Sequence, residues 1–341
     1  MVVLARYAGL GDGFPSDIRI DVAFDEYARH LRARRTPKSA ASDIGRLRRF
    51  LQAAPVSTLG QITPRMVQDF LDGLVRDGRS PKTGNEYRVA IHGMFTFALN
   101  YLNFRSADPL GANPAARVGK FRIPAPEIVY LRLDQIEQQL ALLVPHPKMR
   151  SAVAVMIYAG LRRGEVCWLR RDDVLLDEQR PRILVRAKSV DGTLWTPKTR
   201  KNRGVPVSSS LLAILRGYAR RIPHGTEWFF PGPGGARWNE DTFSHELRRT
   251  QQRLGLPWRC NSFRHSFAAH LAQRGVSLYK ISRLLGNSPQ VAELHYAALS
   301  SESLASEVEF HRPVRVVRED GYVPRRILPL PRSGASRSGP V

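Results

Sequence analysis

The chain has 341 residues, 43% of them hydrophobic, a length that supports two domains each with its own core. Fifty-three Lys and Arg against thirty Asp and Glu give a formal net charge of +23, a field that draws polyanions and makes nucleic acid the leading expected partner. No run approaches the roughly 18 apolar residues of a membrane-spanning helix, two cysteines cannot build a disulfide framework, and neither a P-loop nor a GxGxxG is present.

Residues 1–16 read as an amino-terminal extension, and Met1 to Gly13 is a poor signal peptide. From Asp17 to about Arg105 the pattern is helical. Ile44, Leu47 and Leu51 recur at i, i+3 and i+7, which predicts a helix capped by Ser42 or Asp43. Thr63-Pro64 predicts a second helix with Met66, Val67, Phe70, Leu71 and Leu74 turned inward, Thr capping and Pro filling the first turn. Ser80-Pro81 opens another, running to about Leu102. Arg32, Arg34, Arg35, Lys38, Arg46, Arg48 and Arg49 crowd this region. Charge runs on helices are ordinarily solvated faces; a run of one sign in a chain this basic points to contact with a DNA backbone.

Residues 106–129 change in composition. Pro109, Pro114, Pro124 and Pro126 stand with Gly111 and Gly119 among Arg117, Lys120 and Arg122, which predicts a semi-rigid basic linker. A second domain is expected over 130–312. Helices are predicted at 134–143, 148–159, 210–221, 239–254, 262–274, 277–285 and around 290–296. Between them lie β-prone runs at 182–187, 193–196 and 205–207, with Asp191-Gly192 as a hairpin turn between the first two. The fold class is mainly α with a small antiparallel β-sheet. Residues 313–341, rich in Arg, Pro, Ser and Gly, read as a basic tail without a fixed fold. The nine His and two Cys show no zinc-ligand spacing, and the cysteine usage fits a reducing cytoplasm.

Four segments of the second domain carry the candidate chemistry. In Gly160-Leu161-Arg162-Arg163-Gly164-Glu165 one helix ends and another begins. Arg162 on that turn can aim a guanidinium fork at a phosphate, with Glu165 near enough to orient it. Thr196 to Val207 contains a basic hairpin tip, Pro197-Lys198-Thr199-Arg200-Lys201. In Asn261 to Leu271, Phe263, Phe267 and Leu271 make an apolar stripe, while Asn261, Arg264 and His265 share another face. Last come Leu285-Gly286-Asn287-Ser288-Pro289 and Leu294-His295-Tyr296, where Ser288-Pro289 caps a short helix carrying Tyr296. Taken singly, a turn arginine, a basic loop and a helix-end tyrosine are ordinary surface or packing residues.

In their order and spacing, GLRRGE, PKTRKNRGVPV, SFRHSFAAHL and LLGNS with Tyr296 nine residues past Asn287 resemble the catalytic domain of tyrosine recombinases and phage integrases. The resemblance covers about Tyr130 to Arg312. The helical part before it looks like the family's amino-terminal core-binding domain. The resemblance implies a site-specific DNA recombinase that cuts and rejoins strands through a 3′-phosphotyrosyl intermediate. Arg162 and Arg264 match the arginines that clamp the scissile phosphate, Lys198 the general acid on the hairpin, and Tyr296 the nucleophile. Asn261 falls where the family usually has a His, and Asn287 where it usually has a His or Trp. An amide can donate to a phosphate oxygen but cannot exchange a proton near neutral pH. These two departures keep open the alternative of a weakened or inactive DNA-binding protein with the same fold. The chemistry implied requires no cofactor, metal or ATP. The partners implied are double-stranded DNA and further copies of the chain, assembled as a tetramer on DNA through the carboxy-terminal helix region, Ser300 to His311; no membrane is involved.

Overall fold

The computed structural model describes residues 17–104, 113–124, 127–190 and 192–300. The extension 1–16, the first part of the predicted linker, the segment after Ser300 expected to join copies of the chain, and the tail 313–341 lie outside the described residues. The chain divides into two compact units, Met1–Ala125 and Pro126–Val341.

Among the described residues the first unit has four α-helices, α1 (Ile20–Arg34), α2 (Pro37–Ala53), α3 (Pro64–Arg76) and α4 (Pro81–Tyr101). Three open on the same local device, a Ser or Thr cap followed by Pro: Thr36, Thr63 and Ser80 each accept a hydrogen bond from the amide three residues on. The α2 start therefore differs from the expectation. Ser42 and Asp43 lie inside the helix, because the Thr36-Pro37 cap starts it before the apolar repeat is visible. Tyr27, Leu31, Leu47, Phe50, Leu71 and Phe95 fill the core. Arg32, Arg34, Arg35, Lys38, Arg48 and Arg49 are exposed, Arg35 in an ion pair with Asp43, and the half-buried Arg46 is bound to Asp43 and Glu86.

Part of the predicted linker belongs to this unit. Ala115 and Val118 are buried in its core. Asn85 on α4 bonds both backbone groups of Phe121, at 2.9 Å each, and Arg88 donates to Val118 O at 2.6 Å. Composition marked the prolines and charges here; it could not show that side chains of α4 satisfy this backbone.

The second unit is built on α6 (Pro147–Ala159), where every residue from Ser151 to Ile157 is buried. Its other helices are α5 (Leu133–Leu142), α7 (Arg163–Cys167), α8 (Ser209–Ala219), α9 (Glu240–Arg253), α10 (Cys260–Gln273), α11 (Leu278–Leu285) and α12 (Pro289–Tyr296). A three-stranded antiparallel sheet has the order β1 (Val174–Leu175), β2 (Arg182–Val185), β5 (Arg203–Pro206), with Val185 opposite Arg203.

The strand pairing differs from the sequence reading. Gly192, at φ 71°, helps connect β3 (Lys188–Val190) to β4 (Thr193–Trp195), a separate two-stranded hairpin, and β2 pairs with β1 and β5 instead. The run expected at 182–187 is a strand only over Arg182–Val185, and the partner of β4 is β3, which lies just past that run. Trp195 stacks on Trp168 at 5.3 Å, and Lys188 is buried in an ion pair with Asp173, which fixes the hairpin to the body of the unit.

Candidate active site

The site is assembled from two helix ends, one strand and one helix face. Gly160 ends α6 at φ +63°. A Cβ there would come within 2.5 Å of Phe267 and 2.9 Å of Leu285, so the turn demands glycine on both conformation and space. The turn delivers Arg162 to the start of α7. There its backbone N–H donates to Glu165 Oε2 at 2.8 Å and its Nη1 to Oε1 at 3.1 Å.

Gly286 ends α11 at φ +63°, and the Asn287 N–H donates to Ser282 O at 3.0 Å. Ser288 then caps α12, with Pro289 in its first turn. This sharp reversal presents Leu285 O, Gly286 O and the Asn287 side chain to one place. Arg162 donates to Leu285 O at 3.3 Å, to Gly286 O at 3.1 Å and to Asn287 Oδ1. Arg264, from α10, donates to Leu285 O at 2.8 Å, to Asn287 Oδ1 at 3.1 Å and to Gly160 O. The two guanidiniums therefore converge on the same two oxygens.

Behind them is Glu165, 2% exposed. Arg203, at the start of β5, grips it with both ends of its fork, Nη1 to Oε1 at 2.9 Å and Nη2 to Oε2 at 2.6 Å, while its Nε donates to Leu284 O at 2.8 Å. Burial opposes the charge of Glu165. The hydrogen bond and charge of Arg203, with the charge of Arg264, outweigh it and hold the carboxyl below its ordinary range. Three guanidiniums against one carboxylate leave two positive charges, an electrostatic setting for an anion. Burial, then the charge of Arg162, pushes Arg264 down to about 9, which leaves it protonated at neutral pH.

Tyr296 ends α12 with its ring buried. Its hydroxyl lies 2.8 Å from His265 Nδ1, and the His295 ring is 5.9 Å from that of His265. Burial raises the phenol above its usual value of 10.0, while the positive charges of Arg264 and Arg162 pull the other way.

Of the six residues singled out in the sequence, Arg162 and Arg264 both bond Asn287, and Tyr296 lies within the field of both arginines. Asn287 faces the arginines with its oxygen, since guanidiniums only donate. Asn261 is exposed in the first turn of α10, and Lys198 is exposed between β4 and β5; neither makes a side-chain hydrogen bond among the described residues. Of the other lysines of this region, Lys188 is tied to Asp173 and Lys201 is exposed near Lys198.

Sequence reasoning missed the Arg203 fork and the contact of His265 with the phenol. Arg203 carried a usable signal. It stands two before Val205 on a strand, so the two share a face, and Val205 is buried. Among the described residues no three His, Cys, Asp or Glu are grouped to hold a metal ion, and no helix is long and apolar enough to cross a membrane.

Residues 130–302 match the model of the phage integrase family, and residues 24–100 match the phage integrase N-terminal SAM-like domain. The chain is 26% identical over 267 residues to the tyrosine recombinase XerA of Thermococcus onnurineus, covering 77% of this chain and 85% of that one. The fold is shared with the Tn1549 transposon integrase in complex with transposon right end DNA, at a TM-score of 0.72 and 16% identity, over 85% of this chain and 99% of the other. A lambda integrase tetramer bound to a Holliday junction gives a TM-score of 0.63 at 16% identity, over 84% and 85% of the two chains.

Proposed function

The chain belongs to the phage integrase family of tyrosine recombinases, and from that premise we propose that Tyr296 is the nucleophile with which it cuts and rejoins DNA. The protein is a site-specific DNA recombinase. One observation supports the assignment of residues above the rest: Arg162 and Arg264, 102 positions apart in the chain, aim their forks at the same two oxygens, Leu285 O and Asn287 Oδ1, and their charges act on the Tyr296 phenol.

A scissile phosphate replaces the oxygens of Asn287 and Leu285 as the acceptor of those donors. Its nonbridging oxygens gain charge as the phosphorus becomes five-coordinate, and two fixed guanidiniums stabilise that charge more than they stabilise the ground state. Tyr296 attacks phosphorus, and the 5′ oxygen leaves with a proton from Lys198. The 3′-phosphotyrosyl ester conserves the energy of the broken bond, so a 5′ hydroxyl can reverse the attack without ATP. Lys198 suits the leaving-group side because it is exposed and free to approach the DNA, unlike Lys188. Asn261, exposed at the start of α10, donates to the phosphate from its amide. Tyr296 is buried in the free protein, so DNA binding must open the phosphate's way to its hydroxyl.

Strand exchange between two duplexes takes four such sites. The segment Ser300 to His311 is the proposed link between neighbouring copies in a tetramer on DNA, and the cytoplasm is the proposed compartment. A nicked duplex that loses its 5′ fragment on cleavage tests the chemistry. The unsubstituted protein is expected to accumulate a covalent protein–DNA adduct, and Tyr296→Phe none. An adduct that survives this substitution places the nucleophile elsewhere.

A further inference from the structure

The phenol of Tyr296 must lose its proton as it attacks, and the residues around it differ in whether they can take one. Asn261 and Asn287 are amides without usable basicity near neutral pH. Glu165 is a carboxylate, but both its oxygens are taken by Arg162 and Arg203, and it makes no hydrogen bond to the phenol. Lys198 is assigned to the leaving oxygen, where it must begin protonated. Among the described residues one group touches the phenol oxygen: His265 Nδ1, at 2.8 Å.

We propose that His265 is the general base of strand cleavage, taking the Tyr296 proton at Nδ1 as the phenolic oxygen bonds to phosphorus. The inference rests on the reading of Tyr296 as nucleophile. The geometry suits it, because an acceptor within hydrogen-bond reach of the reacting proton is the first requirement for a general base. His265 and Arg264 are neighbours on α10, so the helix that fixes the phosphate clamp also fixes the base. Burial, then the electrostatic influence of His295 on α12 and of Arg264 on its own helix, push His265 down to about 4. The imidazole is thus neutral at pH 7. With its proton on Nε2, the Nδ1 lone pair faces the phenol.

The step balances. The Tyr296 proton passes to Nδ1, the bond from the phenolic oxygen to phosphorus forms, the bond from phosphorus to the 5′ oxygen breaks, and Lys198 protonates that oxygen. On rejoining, the incoming 5′ hydroxyl gives its proton to Lys198, and His265 returns its own to the departing tyrosinate. Nothing is oxidised or reduced. A phosphate bound between Arg162 and Arg264 adds negative charge near His265, which favours the imidazolium at the moment it forms.

The test is single-turnover adduct formation by the full chain on two nicked duplexes, one ordinary and one with sulfur as the bridging 5′ atom, whose thiolate leaves without a proton. His265→Asn keeps an acceptor beside the phenol but cannot hold the proton. It is expected to slow cleavage of both duplexes by about 10²–10⁴-fold and to abolish the acid limb of the pH profile. Lys198→Ala is expected to recover on the sulfur duplex only. His265→Ala, equally slow, is expected to regain rate with added imidazole, a rescue that separates lost chemistry from lost folding. A His265→Asn rate within about threefold of the unsubstituted protein, far short of the usual general-base effect, would overturn the assignment. So would its recovery on the sulfur duplex. If the unsubstituted protein forms no adduct on either duplex, the nucleophile reading fails as well; an adduct that is independent of His265 removes only the base.

Discussion

Arg203 and Glu165 show how a residue outside the reacting set controls it. The carboxylate is buried and its charge is sustained by guanidiniums, with Arg203 spanning both oxygens. Removing one partner of such a pair leaves an uncompensated charge, at a cost of about 3–5 kcal/mol, whereas the intact pair adds far less to stability. Arg203→Met is therefore expected to lower unfolding free energy by about 3 kcal/mol in urea titrations, the lower end of that range because Arg162 still holds Glu165. Arg203→Lys is expected to restore little, since one ammonium cannot reproduce a planar fork that also reaches Leu284 O. A loss below about 1 kcal/mol in Arg203→Met, typical of an exposed pair, would show that the fork is not a buried ion pair in solution. In the sequence Arg203 stands in a basic run, and only its alternation with Val205 sets it apart. Its role came from its register on β5, where it shares the inward face with Val205.

At the scale of elements, the site depends on two glycine-ended helices. Gly286 places Leu285 O and Asn287 in front of the arginines, and a Cβ on it would lie 2.7 Å from Arg203 Nη1. Gly286→Ala is expected to cost at least about 1–2 kcal/mol from the left-handed backbone alone. Because the added carbon also presses on the Glu165 fork, the adduct rate should fall more than a matched Gly→Ala change at the open turn of Gly78. Equal rates for the two variants would show that the α11–α12 reversal adapts without disturbing the clamp. The helices themselves were readable wherever Ser or Thr precedes Pro, as at Thr63-Pro64, Ser80-Pro81 and Ser288-Pro289. At Thr36-Pro37 the same signal starts α2 ahead of Ile44, where the apolar repeat begins. The strands were harder to read. Short β-prone runs specify pleated backbone, but their partners are chosen by what packs on them, here Trp195 on Trp168 and Lys188 on Asp173.

For the whole molecule the governing quantity is the net charge of +23. Each unit on its own displays exposed cations, Arg32, Arg34, Arg48 and Arg49 in the first, Lys198, Arg200 and Lys201 in the second. Duplex binding is expected to weaken steeply with salt, the logarithm of affinity falling linearly with the logarithm of salt concentration at roughly −0.9 per phosphate neutralised. Arg48→Ala with Arg49→Ala should flatten that slope by about 1 for each phosphate contact removed while changing all duplex sequences alike. An unchanged slope would show that this face of α2 does not meet the backbone. The sequence by itself determined the helical character of both units, the basic field, and the order of motifs carrying Arg162, Lys198, Arg264 and Tyr296, because caps, periodicity and charge are local properties. It did not determine that Arg162 and Arg264 meet over Asn287, that Arg203 holds Glu165, or that His265 touches the phenol. Those contacts join residues 23 to 125 positions apart. Periodicity says which side chains share a face; only packing says what that face meets.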